Sequence, residues 1–353
     1  MSINSRDLAA GCHAAGDRTS AIRVDRRFIL RTLSLIAIST AAMPVFAQST
    51  TEVPIAVSSN SFVMGGVRIG EAAGIFERNG LLPRIKVMDS GNAALAALIG
   101  GSVPFAVAGP PEVLAARARK QDIVIVASLY RGLAGSLVLA KSAVASLKAR
   151  QDSPLAERLQ ALKDLTIAVP SPTSSLAGPV RKAASEYGVS IRFTYMAQPA
   201  MVAALESGAI QGMVASFPFA GTPILKGTGV LWLNGPAGDL PADALPASSS
   251  SLQTTGAFAR QNPDLVKRVQ QALLDIASFI ESKPQDAQAA LAKAYPSLSP
   301  ADIEFAFAQQ KANWTTPIYR EAQMQQDIVL LKATTDMPGL DTLKAGDMIW
   351  SPP

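Results

Sequence analysis

The sequence has almost no thiol or imidazole groups. Its single cysteine, Cys12, and its single histidine, His13, lie side by side near the N-terminus. Residues 48–353 therefore cannot form a disulfide, a Cys/His zinc site or a catalytic site built on Cys or His. Paired carboxylates or a Ser-Lys pair are the enzymatic alternative. These absences favour a binding protein over an enzyme, and we predict no cofactor and no metal site.

Charged and aromatic residues are also scarce, at 17% and 6% of the 353 residues, whereas 48% are hydrophobic. This composition is typical of a folded chain with a large core and excludes a disordered one. The net charge of +5 falls to +2 beyond residue 47, where 26 basic and 24 acidic residues remain. Without a basic run interleaved with aromatics, nucleic-acid binding is not predicted. No segment after residue 47 offers 18 uncharged apolar residues, so we expect no membrane span there.

The first 47 residues have the pattern of an export signal. Several arginines between positions 23 and 31 precede an apolar stretch at 33–42 and the sequence Val-Phe-Ala at 45–47. A basic region, a short apolar core and small residues at the cleavage point form the secretory pattern. The pair Arg26-Arg27 resembles a twin-arginine signal, and an ordinary basic region is the alternative. The length of the basic region also indicates a start codon later than Met1. We predict a signal peptide over 1–47 and a periplasmic protein.

Two pairs of segments repeat within the chain. IAVSSNSF at 55–62 is similar to IAVPSPTS at 167–174, and AALAALIGGSVPFAVAG at 93–109 is similar to AMVAALESGAIQGMVAS at 200–216. Each copy contains a short β-branched run that ends in a polar turn, then an Ala-rich helical pattern, a Gly and a second apolar run. Such strand–helix–strand units form parallel sheets with packed helices, so we predict two α/β lobes.

The order of these units predicts that one lobe is inserted in the other. We expect lobe 1 to contain 48–138 plus 252–353 and lobe 2 to contain 139–251. Hinge strands are predicted near 135–142 and 250–258, on the apolar runs that follow each copy. Asn262-Pro263 is a helix-start pattern, and the remaining chain has helical spacing, which indicates a helical C-terminal extension.

Four segments together resemble a known family. They are EAAGIFERNGL at 71–81, NAALAALIGGSVPFAVAG at 92–109, SGAIQGMVAS at 207–216 and NPDLVKRVQQAL at 262–273. Their order and spacing are similar to those of ABC-importer periplasmic substrate-binding proteins of the sulfonate, taurine, nitrate and thiamine-precursor type, the NMT1/THI5-like group. The resemblance implies a type II-like two-lobed α/β fold, with a mostly parallel sheet and helices on both faces of each lobe. It further implies hinge closure on a small molecule, monomeric state and permease subunits as partners.

Ligands of doubly wound α/β lobes lie beyond the carboxyl ends of the strands. The loops that follow the repeated strands therefore supply the candidate ligand-binding residues. These are Ser59, Asn60, Ser61, Phe62, Asn92, Gly109, Pro110, Arg131, Ser171, Thr173, Ser174, Ser175, Ser216 and Phe217.

Three features of these loops bear on the ligand. The Ser-rich loop at 170–179 precedes a helix, where free N–H groups favour an anion such as sulfonate or carboxylate, although an ordinary Ser cap is the alternative. Arg131 could clamp such an anion or be a solvated surface residue. Phe62 and Phe217 could stack on an aromatic or heterocyclic amine or belong to the core.

The predicted function is capture of a small organic ligand, preferably a sulfonate- or carboxylate-like anion, and its delivery to an ABC permease. A periplasmic sensor subunit that presents the same ligand-dependent surface to a receptor or two-component system is the second hypothesis. The third is an exported enzyme that works through carboxylates or a Ser-Lys pair, against which the scarcity of acidic residues in the candidate loops argues.

Overall fold

A computed structural model describes residues 50–314 and 317–352, so the predicted signal peptide lies outside the described residues. The short apolar runs that end in polar turns form its strands. In chain order they are β1 (Thr51–Val57), β2 (Leu81–Val87), β3 (Phe105–Ala108), β4 (Ile123–Arg131), β5 (Ser136–Ala140), β6 (Thr166–Val169), β7 (Arg192–Tyr195), β8 (Gly212–Ala215), β9 (Gly229–Asn234) and β10 (Ser248–Thr255).

These strands form two five-stranded sheets with the same plan. The first has the order β2-β1-β3-β10-β4 and the second the order β7-β6-β8-β5-β9. In the first, β1 is parallel to β2 and β3, while β10 is antiparallel to both of its neighbours. In the second, β6 is parallel to β7 and β8, while β5 is antiparallel to both of its neighbours. Each sheet is therefore mixed, with a single strand opposed to the other four.

The strand register confirms that the two halves share one structural unit. Ile55, in the first copy of the repeat, pairs with Phe105. The corresponding Ile167 pairs with Gly212 in the second copy. In both sheets a parallel pair is thus joined through an intervening strand and helices, as the repeated segments predict.

The helices lie between the strands and after the last strand. They are α1 (Gly65–Ala72), α2 (Ile75–Arg78), α3 (Gly91–Ile99), α4 (Pro110–Ala118), α5 (Lys141–Val144), α6 (Leu155–Gln160), α7 (Ala177–Glu186), α8 (Gln198–Glu206), α9 (Gly221–Leu225), α10 (Gly256–Gln261), α11 (Pro263–Ser282), α12 (Pro284–Ala294), α13 (Pro300–Gln310) and α14 (Glu321–Thr334). Short 3-10 turns lie between some of them. As predicted, α11 starts at Pro263, and α11 to α14 make the C-terminal part of the chain helical.

The hydrophobic core lies between each sheet and the helices that pack on it. The helix α11 buries a stripe that includes Val266, Val269, Leu273, Ile276 and Ile280, which are three to four residues apart. This spacing places one apolar face against the sheet and leaves the charged face in water. Within the described part of the chain, no helix has the length and apolarity needed to cross a bilayer.

The chain passes between the two sheets twice. It leaves the first sheet after Arg131 and enters the second at Ser136, then leaves the second after Asn234 and returns at Ser248. The two crossing segments are in close contact: a Cβ on Gly235 would lie 2.0 Å from the carbonyl oxygen of Gly135. Whether these segments act as the predicted hinges, and whether the lobe boundaries lie where the sequence places them, stays a prediction.

Candidate functional site

A cavity lies where the loops of the two sheets meet. It occupies about 30 Å³, room for roughly one water molecule. Loops after β1, β2, β3 and β6 line it, together with the start of α8 and one residue of β10. Because parallel strands end at the same sheet edge, the loops that follow them converge there. The lining residues are Ser58, Ser59, Val63, Asp89, Ser90, Gly91, Gly109, Glu112, Pro170, Ser174, Ser175, Leu176, Gln198 and Ser249.

Local sequence explains the shape of these loops. Ser90 caps α3, because its hydroxyl accepts the N–H of Ala93 at 3.2 Å. Gly109 precedes Pro110, whose fixed φ suits the first turn of α4. Both cap residues lie at the sheet edge, so α3 and α4 begin beside the cavity.

Hydrogen bonds across the cavity hold the two sets of loops together. Ser175 Oγ donates to the carbonyl of Ser249 at 2.8 Å, and the N–H of Phe62 donates to the carbonyl of Phe217 at 2.6 Å. At the edge, Asn92 Nδ2 donates to Thr173 Oγ1 at 3.3 Å. Pockets for small organic ligands usually measure about 300–1,000 Å³. The arrangement described here is therefore a closed one, and a ligand of several atoms enters only when these loops separate.

Four of the predicted binding residues line the cavity, namely Ser59, Gly109, Ser174 and Ser175. The two second-lobe serines already have partners within the chain. Ser174 Oγ accepts the N–H of Leu176 at 3.2 Å, and the carbonyl of Ser174 accepts the N–H of Ala177 at 3.0 Å. The N-cap residue of α7 is Leu176, and no side chain caps this helix, so anion binding by the loop stays a prediction.

The predicted aromatic residues are packed in the core. Phe62 lies 4.8 Å from the ring centroid of Tyr295, and its carbonyl accepts the indole N–H of Trp314 at 2.9 Å. Phe217 packs against Phe305 at 5.8 Å. Of the two alternatives left open for these phenylalanines, packing in the core describes their position here.

The other predicted residues do not line the cavity. Ser61 is buried, with its hydroxyl 2.8 Å from that of Ser59, and Ser216 pairs with Gln198. Arg131 is exposed at the end of β4 and donates to the carbonyl of Ala312 at 3.2 Å. Asn60, Asn92, Pro110, Ser171 and Thr173 are likewise outside the lining. A ligand contact by any of the predicted residues stays a prediction.

Sequence analysis missed Glu112, the most unusual group in the cavity. It lies in the first turn of α4 with 5% of its surface exposed. A Cβ on Gly91 would lie 2.7 Å from Oε1, and a Cβ on Gly109 would lie 2.6 Å from Oε2. The carboxyl therefore occupies space that only glycine leaves free. Its signal in the sequence is its position three residues after Gly109, at the helix start that the strand pattern predicts.

The electrostatic character of the cavity is acidic. Burial raises the pKa of Glu112 to about 8, and the backbone N–H groups of Glu112 and Gly109 offset the rise only in part. The other acidic residue of the lining, Asp89, is exposed. No Lys or Arg belongs to the lining, and the described ranges contain no cluster of three or more His, Cys, Asp or Glu side chains suited to a metal.

Two mixed five-stranded sheets with helices, joined by two crossings, form the periplasmic binding protein fold, which solved structures of this class share. Residues 63–295 match the NMT1-like family, and the chain belongs to that family. No curated protein sequence gives a significant match.

Several solved structures are similar to this chain. The alkanesulfonate-binding protein SsuA of Xanthomonas axonopodis pv. citri, bound to MOPS, is 18% identical with a TM-score of 0.69, over 85% of this chain and 98% of that chain. The periplasmic nitrate-binding protein NrtA of Synechocystis is 14% identical with a TM-score of 0.64, over 86% and 92%. A ligand-binding component of an ABC-type import system from Staphylococcus aureus is 13% identical with a TM-score of 0.67, over 85% and 97%. At these identities the likeness establishes the fold and leaves the ligand open.

Proposed function

We propose that this protein is the periplasmic solute-binding component of an ABC importer and not an enzyme. It captures a small organic molecule between its two sheets and delivers it to permease subunits. One observation carries the proposal: loops from both sheets line a single cavity, while in the part of the chain that the structure describes two segments connect the sheets. Family membership and the functions of the structural neighbours point in the same direction.

The proposed mechanism is closure on the ligand. Lobe 1, at 48–138 plus 252–353, and lobe 2, at 139–251, move about the crossing segments. A bond between the lobes, such as that from the N–H of Phe62 to the carbonyl of Phe217 at 2.6 Å, forms only in the closed state. A ligand that contacts both lobes binds the closed state more tightly and shifts the population towards it. The permease then recognises the closed surface.

The ligand class is the finer part of the proposal. The sequence favours an anionic, sulfonate- or carboxylate-like solute, and the position of Ser174 and Ser175 in the lining supports this class. The acidic groups of the lining, Asp89 and Glu112, support instead the amine alternative. The two alternatives differ in the sign of the ligand charge and can therefore be separated by experiment.

The test is a thermal-shift screen of residues 48–353 against sulfonates, carboxylates, nitrate, amines and nitrogen heterocycles. A ligand at 100 times its dissociation constant should stabilise the fold by about 2.7 kcal/mol. Ser175→Phe, which fills the cavity, should abolish the shift. Ser146→Phe on the exposed surface, where the same side chain is added outside the cavity, should retain it.

Failure of every compound class to raise the melting temperature would contradict the proposal. Equal shifts in the two Phe variants would place binding outside the cavity. Turnover of the bound compound would favour the enzymatic alternative.

A further inference from the structure

Glu112 has an unsatisfied carboxyl oxygen inside the cavity. Among the described residues, Oε2 is buried without a hydrogen-bond partner. Buried polar atoms in folded proteins are nearly always paired, because an unpaired one keeps the full cost of its desolvation. The Glu112 carboxyl fills the space beside Gly91 and Gly109. It therefore cannot rotate into the solvent without displacing the loops that contain these glycines. A partner for this oxygen must therefore come from the contents of the cavity.

The surrounding groups select the chemistry of that partner. The elements that face Glu112 contribute neutral polar groups, from Ser59, Ser90, Ser175, Gln198 and Ser249, and one further carboxyl, Asp89. The lining contains no Lys or Arg side chain. A cation in this cavity meets no like charge and favours the ionised form of Glu112, whereas an anion favours the neutral form and also meets the carboxyl of Asp89.

From this geometry we infer that the captured solute carries a protonated nitrogen, as in an ammonium, amidinium or heterocyclic amine group, and that this nitrogen donates a hydrogen bond to Glu112. The inference names the ligand class of the proposed binding protein and so rests on the proposed function. A charge-assisted N–H to carboxylate bond would satisfy the orphan oxygen and neutralise one of the acids. Glu112 is then a specificity-determining residue.

The inference also sets the sign of the pH dependence of binding. In the free protein, burial raises the pKa of Glu112 to about 8, and the only other titratable group of the lining is the exposed Asp89. A cationic ligand binds the ionised carboxyl and displaces its proton. Affinity for a permanent cation should therefore increase from pH 6 to pH 8 and level off above that. An anionic ligand would show the reverse dependence.

The experiment compares matched probes on residues 48–353. The nitrogen bases are butylamine, benzylamine, benzamidine and 4-aminopyridine, with benzyltrimethylammonium as the permanent cation; the anions are butane-1-sulfonate, butyrate and nitrate. Thermal shift finds the binders and calorimetry measures their affinities. We expect binding among the nitrogen compounds, and Glu112→Gln should weaken a protonated N–H ligand about 10- to 100-fold. Glu77→Gln removes the same charge from an exposed position on α2 and should leave the affinity unchanged.

The outcomes separate this inference from the proposed function. Binding by anions alone, with equal affinity for wild type and Glu112→Gln, would overturn the inference and leave the binding protein intact. A nitrogen base whose affinity is the same in wild type and Glu112→Gln would also overturn it. Absence of binding by both classes would count against the proposed function itself. Melting temperatures of the variants without ligand show whether each is folded, and Glu112→Asp, which keeps the charge, should retain part of the affinity.

Discussion

Replacing Glu112 with glutamine should change how the stability of the protein depends on pH. The carboxyl has a pKa of about 8 when folded and an ordinary value of 4.5. A proton thus binds more tightly to the folded than to the unfolded chain, and the stabilisation that it provides is complete below pH 4.5. This stabilisation is lost progressively as the pH rises from 4.5 through 8, because Glu112 ionises at a lower pH in the unfolded chain than in the folded one.

The magnitude follows from the difference between the two pKa values. At about 1.4 kcal/mol for each pKa unit, ionisation of Glu112 lowers the free energy of unfolding of wild type by up to about 5 kcal/mol between pH 4.5 and pH 9. Glutamine is close in shape to the protonated carboxyl and does not titrate. Glu112→Gln and wild type should therefore have similar stability near pH 5, and the variant should be more stable at pH 9.

Urea unfolding of both proteins from pH 5 to pH 9 measures this difference directly. Contributions from other buried acids cancel, since both proteins contain them. Asp89→Asn removes the exposed carboxyl of the same cavity and should leave the pH dependence of wild type. A loss of stability in Glu112→Gln that is the same at every pH would refute the reasoning, because it would mean that the carboxyl is satisfied in its ionised form.

Three further predictions concern the closed state and the core. Ser175→Ala removes the 2.8 Å bond to the Ser249 carbonyl and should therefore favour the open state. Ligand affinity, measured by calorimetry, should fall about fivefold, and the radius of gyration, measured by solution scattering, should increase. Tyr319→Phe leaves Asp327 without its hydroxyl donor and should lower the free energy of unfolding in urea by about 1–3 kcal/mol at pH 8. The loss should be smaller at pH 5, because burial raises the pKa of Asp327 to about 7 and the carboxyl is then protonated. Gly235→Ala forces a methyl group against the facing crossing segment and should lower stability by about 1–3 kcal/mol.

Each of these predictions has a matched control. Ser146→Ala changes an exposed serine outside the cavity and should not alter binding. Tyr187→Phe removes a hydroxyl from a tyrosine that is 39% exposed and should have little effect at either pH. Gly66→Ala adds a methyl group whose nearest neighbour lies 3.9 Å away, so it should be tolerated. Equal effects in a variant and its control would contradict the structural argument for that position.

The sequence by itself determined the architecture. The two copies of the strand–turn–helix–strand pattern predict two α/β units, and the equivalent pairings of Ile55 and Ile167 confirm them. The start of α11 at Pro263 also follows from neighbouring residues in the sequence. These features are predictable because strand alternation, helix periodicity and caps depend on residues within a few positions of one another.

The contents of the cavity were decided by the tertiary structure. Ser59, Gly109, Ser174 and Ser175 were predictable as lining because strand ends converge at a sheet edge. Glu112 was not, because its burial depends on glycines at 91 and 109 that leave room for its carboxyl. Local patterns specify which residues lie near a strand end. The charge that a cavity presents depends on which side chains long-range packing buries and which it leaves without a partner.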